Sequence, residues 1–275
     1  MRMRKLEHSF GVEFDQVDVN RITDTELDMA REAQNEHGVV FFRDQKMSCD
    51  QHINFANRLG DIVINRFFET VDGYPNIAQV RKEPKHKTVV GSSWHTDHSY
   101  DQIPAKGSIL YAKEVPSSGG DTLFASMYLA YDTLSPGFKE TLEGLTAIHS
   151  SRHTFSKSAV TSEDPNEDRY VNSHLATQDA RHPVIITHPD SGKKALYVNP
   201  DFTVKFDGWT EEESAPMLEY LYQHASQAEF VMRFQWQKGS IAFWDNRATW
   251  HQAQNDYPGE RRLMHRITLE GAPLS

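Results

Sequence analysis

The chain has 275 residues, 38% of them hydrophobic and 25% charged, which suits a soluble globular protein large enough to bury a polar interior site. Its formal net charge of −10 argues against a nucleic-acid partner, because such proteins need a basic face. A single cysteine, Cys49, leaves no intrachain disulfide, argues against a cysteine-built zinc or iron–sulfur site, and fits a reducing compartment.

The opening MRMRKLEHSF is too polar for a signal peptide, and apolar runs such as residues 39–42 are far too short to cross a bilayer. A cytoplasmic protein without a membrane partner is expected. Thr23-Asp24-Thr25-Glu26 is a capping box, followed at helical spacing by Leu27, Ala30 and Ala33, with Gly38 as the stop. Residues 39–43 then predict a buried strand. Ser48 to Gln51 is a second capping box, before a helical face of Ile53, Ala56 and Leu59 that ends at Gly60.

Beyond Gly60 the pattern becomes one of short apolar or alternating stretches between turn residues. Strands are predicted at 76–80, 107–113, 121–125, 184–187, 195–198, 230–236, 240–244 and 262–269. Pro189-Asp190-Ser191-Gly192 reads as a hairpin turn between two of them. Helical stretches interrupt the strands within 126–145 and at about 210–227, where Pro216 marks either a start or a kink. Residues 150–181 hold few large apolar side chains, and the expectation is a lid or mobile loop, with His149, His153, His174 and His182 exposed in or beside it. The whole chain, 1–275, reads as one mainly β domain with added helices, a sandwich or jelly roll.

Trp94-His95-Thr96-Asp97 supplies a His-x-Asp triplet, whose two side chains share one face if the backbone is extended. Two histidines and one carboxylate are the set that leaves iron with open positions for oxygen chemistry. The triplet alone carries little weight: with 14 His and 20 Asp, roughly one is expected by chance. A second, His188-Pro189-Asp190, sits in the hairpin turn, where Pro and Asp have a structural reason to be.

Four later motifs give the first triplet its weight. PSSGGDTLFAS, THPDSGKKALYVN, WDNRATWH and RRLMHR come after WHTD in that order, with ten residues between His251 and Arg262. On these stretches, from about Val39 to the end, the chain resembles the taurine dioxygenase and 2,4-dichlorophenoxyacetate dioxygenase family of Fe(II)/2-oxoglutarate oxygenases. The resemblance implies a double-stranded β-helix with His95, Asp97 and His251 as iron ligands. Thr122 and Arg262 would hold the distal carboxylate of 2-oxoglutarate, and Arg266 would face an acidic group of the substrate. A guanidinium and a carboxylate pair through two bonds, and residues four apart on a strand share a face.

It further implies that O₂ and 2-oxoglutarate are consumed, succinate and CO₂ released, and a small anionic substrate hydroxylated. Sulfonates, sulfate esters and aryloxyalkanoates are the substrate classes concerned, and a homo-oligomer, dimer or tetramer, is expected. Asn65 and Phe68 stand where the taurine enzymes carry substrate-contacting His and Tyr, and Gly91 stands where they carry Asn, so taurine itself fits poorly. A biosynthetic hydroxylase or desaturase on the same site, and a non-catalytic jelly roll binding a metal and an organic acid, are the alternatives. Trp94 and Trp244 are expected to pack beside the site, His98 to face away from it, and Arg261 to meet solvent.

Overall fold

Alternation along a few apolar strands sorts the side chains of this protein onto the two faces of a large sheet. The computed structural model describes residues 1–6, 10–156 and 170–275. The first part of the chain forms β1 (Arg2–Lys5), β2 (Val12–Asp15), α1 (Asp24–His37), β3 (Val39–Phe42), α2 (Cys49–Leu59), β4 (Ile62–Val63), β5 (Thr70–Val71) and β6 (Tyr74–Lys82). The middle forms β7 (Gly107–Glu114), β8 (Thr122–Ser126), α3 (Met127–Asp132), α4 (Pro136–Glu143), β9 (Thr146–Ser150), α5 (Arg152–Phe155), β10 (Asp179–Pro183), β11 (Ile185–Thr187), β12 (Lys194–Leu196) and β13 (Thr203–Phe206). The last part forms α6 (Glu211–Ala225), β14 (Val231–Phe234), β15 (Ile241–Asp245), β16 (Thr249–Ala253) and β17 (Arg262–Leu269).

The large sheet runs β1-β2-β3-β15-β7-β17-β6-β5, with β4 also on β17, and a smaller sheet runs β14-β8-β16. Val39, Phe41, Leu110, Ala112, Ala242, Trp244 and Met264 of the large sheet meet Phe124, Met232 and Phe234 of the small one. Their in-between neighbours Val40, Phe42, Ile109, Ile241, Phe243 and Ile267 pack instead against Leu27, Ala30 and Ala33 of α1 and Phe55, Ala56 and Leu59 of α2. Phe41 stacks on Phe234 at 3.9 Å between ring centroids and meets Phe124 edge-on. Each such ring, once buried, contributes roughly 1.5–3 kcal/mol before the entropy of ordering it. On β17, Arg262 and Arg266 share the parity of Met264, so both guanidiniums are delivered to the interior of the sandwich.

Both N-terminal capping boxes form as the sequence predicts, Thr23 with Glu26 and Ser48 with Gln51. The stretch 126–145 is two helices rather than one, because Pro136 starts a new helix at its first turn. Thr210 and Glu213 form a third capping box, so Pro216 lies inside α6 on its exposed side instead of marking its start. The hairpin turn joins β11 and β12 as expected.

One expectation is corrected at the polar stretch, the exposure of His149 and His182. Part of 150–181 is regular sheet: β10 pairs antiparallel with β9, placing Ala180 opposite His149 and His182 opposite Ala147. Residues 157–169 of the expected lid lie outside the described residues. His149 and His182 are buried, because both sit on the inward parity of that pair, whereas His153 and His174 are exposed. Among the described residues, no helix is long and apolar enough to cross a membrane.

His52, on α2, is 1% exposed, and neither ring nitrogen has a hydrogen-bond partner. Burial, with the positive charges of His265 and Lys113 nearby, lowers its pKa to about 3; burial and Lys113 lower that of His265 to about 4. Both folded values lie below the ordinary 6.5, so the unfolded chain takes up these protons first. The stability they contribute is present above pH 6.5 and is lost as pH falls toward 4. The thermal midpoint should therefore decline over that window, and His52→Leu should flatten the decline; an unchanged slope in the variant would remove His52 as its source.

Candidate metal centre

β8, β14 and β16 carry one set of side chains into the sandwich. In the β16–β8 register His251 lies opposite Phe124 and Ala253 opposite Thr122, so His251 and Thr122 share the face that Phe124 turns to the core. His95 is joined to this edge by its backbone: His95 N–H donates to His251 O at 3.2 Å, and His251 N–H returns a bond to His95 O at 2.8 Å. The two rings lie 4.0 Å apart between centroids. Ligand atoms of His95, Asp97 and His251 all lie within 4.8 Å of one another, and all three residues are buried. Among the described residues this is the only such cluster.

The donor atoms are presented as a metal requires. His95 Nδ1–H donates to Ser93 O at 2.9 Å, which leaves the Nε2 lone pair free, 4.0 Å from Asp97 Oδ1. His251 Nδ1 is buried without a partner. Burial lowers the His251 pKa well below its ordinary value, with His95 adding to the effect and Asp97 opposing it, so the ring is neutral and able to coordinate. Burial alone would raise the Asp97 pKa, but the Arg266 guanidinium holds its carboxyl far below the usual range.

Asp97 is gripped from both sides. Arg266 Nη1 donates to Oδ1 at 3.0 Å, and the Ser108 hydroxyl of β7 donates to Oδ2 at 2.8 Å. Asn246 backs this contact. Its Nδ2 approaches Ser108 Oγ at 3.5 Å, its Oδ1 accepts from Trp244 Nε1 at 2.8 Å, and its carbonyl accepts from Thr96 Oγ1. Ser108, Asn246 and Trp244 are each at most 1% exposed, so no solvent competes for these bonds. Ser108→Ala is expected to weaken Mn(II) binding by about 10–100-fold while the protein stays folded; equal affinities by electron paramagnetic resonance titration would remove Ser108 from the metal's support.

Two adjoining cavities meet at this centre and share Val90, Gly91, His95 and Arg266. One is lined by Thr122, His251, Arg262, Leu110 and Trp244. Here Arg262, 5% exposed, has Nε and Nη2 without partners, and Thr122 Oγ1 accepts from Trp236 Nε1 at 2.9 Å. The other holds Asp97, Phe68, Tyr100, Phe155, Tyr170 and Phe202. Arg266 lies over the Phe68 ring at 4.7 Å, and its Nε is unpartnered. Gly91 has φ +73°, and a Cβ there would come within 2.8 Å of His95 Cε1, so any side chain would press on the ligand ring.

Asn65 is placed differently from the expectation, because it lines neither cavity. Its Oδ1 accepts from Phe67 N at 2.9 Å and its Nδ2 donates to His98 Nε2 at 3.2 Å, while His98 Nδ1–H donates to Asp101 Oδ2 at 3.0 Å. His98, in a left-handed conformation at φ +61°, turns off the line of the ligands, as expected, and there ties the Phe67–Phe68 wall to the ligand turn. Arg261 pairs with Glu83 and Glu114 instead of standing free in solvent. His188 donates to the buried Asp245 at 2.9 Å, which gives the second His-x-Asp triplet its structural role. Trp94 is partly buried against the core and Trp244 fully buried.

Sequence reading did not single out Ser108, Asn246, Tyr100, Phe155, Phe202 or Asp201. A usable signal existed for the first: Ser108 is the one hydroxyl in the apolar run Gly107-Ser108-Ile109-Leu110.

The family model for the taurine catabolism dioxygenase TauD, TfdA family matches residues 2–268. The chain belongs to this TauD/TfdA family. It is 31% identical over 98% of its length to an alkylsulfatase of Acinetobacter baylyi, covering 85% of that protein. It is 32% identical over 90% of its length to the alpha-ketoglutarate-dependent 2,4-dichlorophenoxyacetate dioxygenase of Cupriavidus pinatubonensis, covering 90% of that protein. The crystal structure of a taurine dioxygenase from Burkholderia xenovorans superposes with a TM-score of 0.82 at 32% identity, over 98% of this chain and 90% of the other. The sandwich is thus the TauD/TfdA jelly roll with its added helices.

Proposed function

We propose that this protein is an Fe(II)- and 2-oxoglutarate-dependent dioxygenase that hydroxylates a small anionic organic molecule. The observation that carries the reading is the meeting of two unlike cavities at His95, Asp97 and His251: one with an unpartnered buried guanidinium, the other walled by aromatic rings. Two imidazoles and one ionised carboxylate suit Fe(II) and leave open positions. The bound iron, with 2-oxoglutarate and O₂, supplies oxidative hydroxylation of a substrate carbon with release of succinate and CO₂.

The protein's own contribution is placement. Thr122 and Arg262 hold the distal carboxylate of 2-oxoglutarate, Arg262 through nitrogens that otherwise lack partners. Arg266 holds the substrate's acidic group while its other arm stays on Asp97. Phe68, Tyr100, Phe155 and Phe202 keep water from the reacting carbon and favour an aromatic or extended apolar body. The relatives' names, an alkylsulfatase and a 2,4-dichlorophenoxyacetate dioxygenase, support sulfate esters and aryloxyalkanoates as the first classes to test. We place the protein in the cytoplasm as a homo-oligomer, whose mass gel filtration reads.

Anaerobic Fe(II) with 2-oxoglutarate should give a weak visible charge-transfer band, and a panel of sulfonates, sulfate esters and aryloxy acids should release succinate with O₂. No band, and no O₂ uptake with any member, would overturn the reading. Arg262→Met should raise the KM for 2-oxoglutarate roughly hundredfold with kcat largely kept, since two charge-assisted bonds are lost. The same change should leave the ligand-free protein as stable as wild type or more so, because it removes a buried cation that lacks a carboxylate partner. A strongly destabilised variant with unchanged KM would assign Arg262 to structure instead.

A further inference from the structure

The substrate-side cavity contains a carboxylate to which the proposed reaction gives no role. Asp201, between β12 and β13, lines it together with Arg266, Phe155, Tyr170 and Phe202. Its Oδ1 accepts from the Ser93 hydroxyl. Its Oδ2 receives no hydrogen bond among the described residues, and the side chain, 18% exposed, lines the cavity at its solvent-facing side. The nearest basic nitrogen is His95 Nδ1 at 3.9 Å, but that N–H is already given to Ser93 O at 2.9 Å. Among the described residues that line the cavity the one guanidinium, Arg266, is engaged with Asp97. Among the described residues, Asp201 is therefore a carboxylate beside aromatic rings with neither a cation nor a donor hydrogen-bonded to its free oxygen. Left so, it opposes the entry of any substrate that presents only negative charge and apolar surface there.

We infer that Asp201 is a specificity-determining residue that receives a hydrogen-bond donor, an ammonium or hydroxyl group, borne by the substrate on the part of its apolar body away from its acidic group. This rests on the proposed dioxygenase reading and narrows its substrate class. Arg266 and Asp201 make the cavity two-poled, so a substrate is oriented by both of its ends. The aromatic walls suit this, since ring faces attract an ammonium group. A carboxylate–ammonium hydrogen bond at this partly exposed position is worth about a tenfold change in affinity.

The test uses probes matched in size and differing only at the far end: 4-aminobutyl sulfate against pentyl sulfate, 4-hydroxybutyl sulfate against pentyl sulfate, and 4-aminobutane-1-sulfonate against pentane-1-sulfonate. Each is titrated calorimetrically into the full chain loaded with Mn(II) and N-oxalylglycine, a catalytically inert complex, and separately assayed for succinate formation with Fe(II), 2-oxoglutarate and O₂. Wild type should bind a donor-bearing member about tenfold tighter than its methyl-ended counterpart. Asp201→Asn, which keeps the acceptor for Ser93 but loses the charge, should bring the amino pair within about threefold, through affinity and KM with kcat little changed.

A wild type that binds both members of every pair equally, or binds neither, overturns the inference. So does a preference that survives in Asp201→Asn. An Asp201→Asn protein that loses activity on every substrate alike, with Mn(II) affinity reduced, assigns the carboxylate to the support of His95 and also overturns it. The dioxygenase reading fails by a separate sign, the absence of the anaerobic Fe(II)–2-oxoglutarate band, which does not depend on Asp201.

Discussion

An Asp97→Ala variant is expected to form succinate at no more than about a thousandth of the wild-type rate, because the metal's several kcal/mol of charge stabilisation goes with its anchoring carboxylate. Of the three proposed ligands Asp97 alone brings a negative charge, and it is the one most strongly held in place, by Arg266 on one oxygen and Ser108 on the other. Removing it leaves two imidazoles, whose affinity for a divalent cation is far weaker at neutral pH. It also leaves Arg266 buried, 6% exposed, without an anion. Mn(II) titration and the anaerobic visible band read the loss without reference to turnover. His95→Ala should behave alike. Retention of the band and of succinate formation in either variant would show that the iron sits elsewhere.

The second large effect concerns folding. Asp245 closes β15, is fully buried, and accepts four bonds: from Arg247 N at 2.8 Å, Arg247 Nε at 2.9 Å, Arg247 Nη2 at 2.6 Å and His188 Nε2 at 2.9 Å. Burial opposes its ionisation, yet Arg247 and then His188 outweigh this and keep the carboxyl well below its usual range. Asp245→Ala strands His188 and leaves Arg247 only its bond to Asp190 at 2.8 Å. The cost should be about 3–5 kcal/mol, a fall of roughly 10 °C in the thermal midpoint. A double variant, Asp245→Ala with Arg247→Met, should lose clearly less than the two single costs added together, because both changes remove the same buried charge pair. Unfolding of Asp245→Ala within about 1 kcal/mol of wild type would show that the cluster is not what holds the β15–β16 turn.

Much of this was legible in the sequence because it is local or periodic. The strand at 262–269 and the common face of Arg262 and Arg266 follow from a period of two, and both capping boxes from four-residue patterns. The triplet at His95 gained its meaning from motifs placed in order along the chain. The illegible part depends on which strand lies beside which. His149 and His182 looked exposed from a polar neighbourhood, but the β9–β10 register turns both inward. Ser108 reaches Asp97, and Asn246 reaches Ser108, only once β7 and β15 are neighbours. The resemblance sets Asn65 in the substrate's path, but its amide is spent on His98 and the backbone of Phe67, contacts that only the folded turn at His98 brings within reach.

The backbone bridge between His95 and His251 has a consequence for how the site comes into being. Two proposed ligands far apart in the chain are set side by side by a pair of peptide hydrogen bonds, not by a flexible loop. Their spacing is therefore a property of the completed sandwich. A nascent chain, or a fragment ending before β16, cannot assemble the donor set, and long-range closures of this kind form late and slowly. Metal uptake during refolding should accordingly lag the recovery of helical signal and coincide with the final burial of Trp244 and Trp250. Loading with Mn(II) thus becomes a stopwatch for the last act of folding, one that registers only molecules whose two ends have met.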